Sequence, residues 1–93
     1  IVNFNASEQE AIDTVDQITR SGGQAYALQG NVSNVTCIEN MFEQLDSYLS
    51  KTLGSNHLDI LVNNAGVMET VPFANTTEAQ FNHMFDTNIK GMF

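Results

Sequence analysis

Ninety-three residues suffice for one small domain that buries about two-thirds of the surface of its unfolded chain, which leaves no room for two. Hydrophobic residues at 42% with 15% charged exclude a disordered chain, and a net charge of -8 from three bases (Arg20, Lys51, Lys90) against eleven acids is the wrong field for nucleic acid or an anionic membrane. One cysteine, Cys37, forms no internal disulfide, and neither a spanning apolar run nor a signal-peptide layout is present, so a cytoplasmic, soluble protein is expected.

Ile1 to Phe4 is β-prone, and Ser7 with Glu10 three positions on reads as a capping box opening a helix. Ala11, Ile12, Val15 and Ile18 recur at helical spacing, Arg20 suits the last turn, and Gly22-Gly23 closes the segment. Gln24 to Gln29 alternates as a second strand, ended by Gly30-Asn31. From Val35, the positions Ile38, Met41, Phe42, Leu45, Tyr48, Leu49 and Leu53 keep a helical period, with Ser33 as the expected cap and Gly54 as the stop. Leu58 to Val62 reads as a third strand, followed at once by Asn63-Asn64-Ala65-Gly66. After Pro72, Thr77 and Gln80 make a capping box, and Phe81, Met84, Phe85, Asn88, Ile89 and Met92 mark one face of a third helix.

The order β-α-β-α-β-α predicts a parallel sheet with helices on both faces. The first residue is Ile1, and Met92-Phe93 ends inside an apolar-periodic stretch, so further polypeptide is expected on both sides. Parallel sheets bind ligands beyond the carboxyl ends of their strands. That places the candidates at Phe4, Asn5 and Ala6, at Gly30, Asn31 and Val32, and at Asn63 through Gly66. Turn chemistry alone accounts for Asn and Gly at any one of these places. Paired asparagines followed by Ala65 and Gly66 add amides beside a surface that a bulky ligand can approach. Asn88 shares a helix face with Phe81, Phe85 and Met92, so its amide needs partners, whether its role is structural or catalytic. His57 and His83 lack metal-ligand spacing, Cys37 lacks a basic neighbour, and the Asn-x-Ser/Thr triplets at Asn5, Asn31, Asn34 and Asn75 read as turn and cap composition. Met41, Met84 and Met92 read as core filler.

Three blocks, Gly30-Asn31-Val32-Ser33, Leu58 through Gly66 and Asp86-Thr87-Asn88-Ile89-Lys90-Gly91, stand in an order and at intervals that together resemble the classical short-chain dehydrogenase/reductase family over essentially the whole chain. The resemblance implies a Rossmann-type three-layer α/β/α fold with a parallel sheet, of which residues 1–93 would hold the second to fourth strands and their helices. It also implies hydride transfer between a nicotinamide cofactor and a small-molecule carbonyl or alcohol, 3-oxoacyl reduction being one form, and a homo-oligomer. In such enzymes the residue matching Asn31, usually Asp, meets the adenine and Val32 flanks it. Asn64, Ala65 and Gly66 match the stretch lining the cofactor ribose. Asn88 matches the asparagine of the catalytic tetrad, which anchors a water in the proton relay.

Phe4 stands where an NAD-selecting acid would lie, and Asn5 and Ser7 are neutral, which favours NADP with NAD as the alternative. The family's first strand with its glycine-rich turn, its catalytic serine and its Tyr-x-x-x-Lys pair have no counterpart among these residues: Tyr26 and Tyr48 are followed four positions on by Gly30 and Thr52. A non-catalytic Rossmann-like binding or assembly module is the rival reading, and another Rossmann enzyme such as a methyltransferase fits the Asn63 block poorly.

Overall fold

A computed structural model describes residues 1–93. In chain order the elements are β1 (Val2–Phe4), α1 (Glu8–Arg20), β2 (Ala27–Gln29), α2 (Val35–Leu53), a 3-10 turn (Phe73–Asn75), α3 (Glu78–Asn88) and a second 3-10 turn (Lys90–Met92). The two strands pair in parallel, with Val2 opposite Ala27, Asn3 opposite Leu28 and Phe4 opposite Gln29. Parallel neighbours need a crossover, and α1 supplies it.

Side chains alternate across a strand, so Asn3 and Leu28 share one face of this ribbon. Leu28 packs on Leu45 and Leu49 of α2, flanked by Met41 and Tyr48, while α1 packs on β1 and β2, with Ala11 as its buried contact. Of the stripe of α2 that sequence periodicity marks, Met41, Leu45, Tyr48 and Leu49 form the packing around Leu28, while Phe42 and Leu53 are exposed. Tyr48 extends the packing by stacking on Tyr26, with ring centroids 4.3 Å apart.

The helix ends follow local chemistry. Gly54 ends α2 in the left-handed region at φ 68°, where a residue without Cβ is unstrained. Thr77 and Gln80 form the expected reciprocal box at the start of α3. Two caps differ from expectation. The cap of α2 is Asn34, whose side chain accepts from the Cys37 N–H, because Ser33 is drawn back into a turn with Asn31. Ser7 holds the cap position of α1 but makes no capping bond.

The third expected strand, Leu58 to Val62, does not form: the sheet has two strands. None of the backbone groups of residues 58–66 is hydrogen-bonded within the protein, and Ile60, Leu61 and Val62 are 77%, 63% and 75% exposed. A strand is defined by its neighbour, and this run has none beside it. The same opening explains the shape. The radius of gyration is 15.7 Å, against about 12 Å for a compact domain of this length. The accessible surface is 7137 Å², where a folded monomer of this mass exposes about 5,300 Å². α3 accordingly leaves Phe81 and Phe85 exposed, and Ile89 and Met92, expected on the same helix face, are exposed beyond its last residue, Asn88, Met92 in the second 3-10 turn; of the methionines expected in a core, Met41 and Met84 are half-buried and Met92 is not.

Candidate functional site

An open cleft of about 550 Å³ lies beyond the carboxyl ends of β1 and β2. Phe4 and Asn5 reach it from the end of β1, Asn31 and Val32 from the end of β2, and Asn64, Ala65 and Gly66 from the segment after the unpaired run. All seven residues expected around the cofactor thus line one cleft, although they come from three separate stretches of chain. Ser7 and Glu10 of the α1 entrance and His83 and Thr87 of α3 complete the rim that matters for charge. None of Arg20, Lys51 and Lys90 reaches it.

Two glycines permit the geometry. Gly30 is buried, and a Cβ there would collide with Met41 Sδ and stand 3.0 Å from Met41 Cβ. Gly91 brings the last 3-10 turn against the Asn31-Val32 loop, since a Cβ on it would lie 3.0 Å from both Val32 Cγ2 and Val32 O.

Each asparagine is held differently. Asn31 Oδ1 accepts from the Ser33 N–H at 3.0 Å and the Ser33 hydroxyl at 2.7 Å, which fixes the loop after β2. Asn88 does not line the cleft but stands behind it. Its Oδ1 accepts from the Val67 N–H and its Nδ2 donates to the Val67 carbonyl, both at 2.8 Å. The amide pairs with the backbone as a neighbouring strand would, and it ties α3 to the residue following Gly66. Asn88 is half-buried, and both polar atoms of its side chain are bonded.

Asn3 is a site residue that sequence reasoning missed. Its Nδ2 donates to the carbonyls of Leu28 and Gly30, each at 3.1 Å, beside Met41 Sδ. It therefore stitches β1 to the beginning of the cleft loop. The available signal was a lone polar residue on the Ile1/Asn3 face of an otherwise apolar strand.

The α1 entrance has unspent donors. Ala11 N–H bonds to the Ser7 carbonyl, and the amides of Gln9 and Glu10 have no acceptor in the protein. The Ser7 hydroxyl is likewise free of a capping bond. Free donors at a helix N-terminus suit an anionic group, while Glu8 and Glu10 put two carboxylates in the same turn.

The family model described as short chain dehydrogenase matches residues 1–93. The hydroxynaphthalene reductase-like protein Arp2 of Metarhizium brunneum is 28% identical over 93 residues, all of this chain and 33% of its own length. An uncharacterized oxidoreductase of Methylorubrum extorquens is 33% identical over 92 residues, 99% of this chain and 35% of its own. Among solved structures, the promiscuous reductase LugOII, which catalyses keto-reduction at C1 during lugdunomycin biosynthesis, superposes with a TM-score of 0.91 at 30% identity, over 97% of this chain and 40% of that one. The angucycline C-6 ketoreductase LanV with bound NADP gives 0.90 at 29% identity, over 96% of this chain and 35% of that one. The chain spans about a third of the length of the curated relatives it matches. By sequence, by its parallel α/β core and by its likeness to Rossmann-fold ketoreductases, the chain belongs to the short-chain dehydrogenase family.

Proposed function

We propose that residues 1–93 form the adenosine-binding part of a Rossmann domain in an NADP(H)-dependent reductase that acts on a small-molecule ketone or the corresponding alcohol. The observation that carries the reading is the convergence of Phe4, Asn5, Asn31, Val32, Asn64, Ala65 and Gly66 on one cleft. Phe4 and Asn5 bring no acid to oppose a ribose 2'-phosphate, and the free Ser7 hydroxyl with the Gln9 and Glu10 amides would hold that phosphate. Glu10 on the rim weakens the preference, and NAD is the second choice. Asn31 and Val32 would meet the adenine, and Asn64, Ala65 and Gly66 the ribose.

The cofactor, when bound, supplies the hydride. What this chain does for turnover is orientation: Asn88 fixes the backbone at Val67 next to Gly66, beside which the nicotinamide half would pass, and its matching position in the family serves the proton relay. Neither Tyr26 nor Tyr48 has a lysine four residues on, so neither matches the tyrosine that serves as general acid/base in the family. These residues alone bind nucleotide without turnover. The names of the relatives, a hydroxynaphthalene reductase-like protein and ketoreductases of lugdunomycin and angucycline chemistry, favour a ketone on a fused aromatic scaffold over a 3-oxoacyl chain. A homo-oligomer working in the cytoplasm completes the proposal.

The test is titration of the chain with NADPH and NADH, followed by nucleotide fluorescence. NADPH is expected to bind with a dissociation constant on the order of millimolar, because no glycine-rich turn holds the pyrophosphate here, and more tightly than NADH. Ser7→Glu should abolish the difference. Equal affinity for the two in the unsubstituted chain would refute the NADP assignment, and micromolar affinity would refute the account of the pyrophosphate.

A further inference from the structure

The two walls of the cleft are not bonded to each other. One is the loop after β2, with Asn31 and Val32, the other the segment Asn64 through Gly66, and no hydrogen bond runs between them. Both meet the C-terminal end of α3. Asn88 holds the N–H and the carbonyl of Val67, and a Cβ on Gly66 would stand 3.4 Å from Asn88 Oδ1. Three positions on, Gly91 lies against Val32. Among the helices and strands, α3 packs on none but the 3-10 turn that contains Gly91, so loops rather than the sheet place its end. Gly91 is there for space and not for backbone shape: the glycines in the left-handed region are Gly22 and Gly54. A Cβ at 91 would lie 3.0 Å from Val32 Cγ2, 3.0 Å from the Val32 carbonyl oxygen and 3.2 Å from Val32 Cβ, inside the roughly 3.5 to 4.0 Å that suits non-bonded carbons. Val32 has no easy way to yield, because valine is stiff at χ1 and the carbonyl belongs to the backbone.

We propose that Gly91 is a positioning residue: it lets the end of α3 settle against Val32 while Asn88 holds Val67, and so sets the spacing between the two walls of the cleft. That this spacing serves a nucleotide rests on the function proposed above. A side chain at 91 must displace either the Val32 loop or the end of α3. The first moves one wall directly, and the second carries the other wall with it through the Asn88 amide. In both cases the walls no longer suit one ligand, and a change made at Val32 reaches Val67 through the helix end that touches both.

The experiment compares the ¹⁵N-labelled chain with Gly91→Ala, Val32→Ala and the double variant, reading hydrogen exchange at Val67, Leu28 and Leu45 and then NADPH binding by NMR. Gly91→Ala is expected to speed exchange at Val67 about tenfold without nucleotide, to leave Leu28 and Leu45 within about twofold, and to weaken NADPH about tenfold. A loss of overall stability would instead speed all three amides together. Val32→Ala adds no atom, so it tests the same contact without a clash; it leaves a gap under Gly91 and should also speed Val67. In the double variant the added and removed atoms offset each other, and Val67 exchange should lie closer to the unsubstituted rate than in either single variant. Val67 unmoved by both single substitutions, additive effects in the double variant, or equal acceleration of the three amides would overturn the brace. NADPH affinity unchanged in Gly91→Ala despite a freed Val67 would overturn its part in binding. NADPH that shifts none of Gly30, Val32 and Gly66 in the unsubstituted chain would overturn the nucleotide site, while Val67 exchange, which needs no nucleotide, still decides the brace.

Discussion

Removing the Asn88 amide should release Val67 while leaving the rest of the chain as it is. In Asn88→Ala the Val67 N–H and carbonyl both lose their partner, and the two bonds are short, 2.8 Å each, between half-buried residues. A net hydrogen bond contributes about 1 kcal/mol, so about 2 kcal/mol of local stability is at stake. No other bond holds the backbone between residues 58 and 67, so the loss falls on the opening of this one segment. By the equilibrium between closed and open forms, Val67 N–H should exchange with solvent about 30-fold faster. Hydrogen exchange followed by NMR reads this directly. Protection at Val67 within threefold of the unsubstituted chain would refute the clamp. Asn88→Asp should make the clamp depend on pH. Its second oxygen faces the Val67 carbonyl, which favours the protonated carboxyl as donor, so the folded-state pKa lies above the unfolded value of about 3.9. Val67 protection in this variant should be greatest below the unfolded pKa and fall as pH rises through the folded one. Protection that rises with pH would contradict that geometry.

Two further outcomes follow from the packing. The run with Ile60, Leu61 and Val62 exposed leaves its backbone N–H and C=O groups without partners, and the chain exposes about 1,800 Å² more than a compact monomer of its mass; light scattering after gel filtration should show self-association, with amides of residues 58–62 protected in the associated form, and a stable monomer with that run unprotected would be the contrary result. Gly30→Ala forces a Cβ into Met41, with an expected loss of about 1 to 3 kcal/mol in thermal unfolding. Met41→Ala in the same chain should recover part of that loss, and an unchanged Tm in the single variant would show that Met41 moves aside freely.

The amino-acid pattern by itself determined the elements whose cause is local. A helical period sustained from Val35 to Leu53, the Gly54 stop and the Thr77/Gln80 box reappear as written, because capping and amphipathic spacing involve neighbours a few residues apart. Three sequence blocks likewise sufficed for the family. Only the tertiary structure decided the rest. Leu58 to Val62 has the composition of a buried strand yet forms none, since a strand's hydrogen bonds belong to a partner and composition cannot supply one. Ser7 and Ser33 were both suited to capping. Ser7 is left unbonded, and Ser33 turns to Asn31, passing the cap to Asn34. That exchange also determined which end of the Asn31 amide is bonded within the protein. Asn3 acquired its role from Leu28 and Gly30, about twenty-five residues away, and Asn88 from Val67. A polar side chain states what it can bond. The fold, by setting which backbone atoms come within 3 Å of it, states what it does bond and which atoms remain for a ligand.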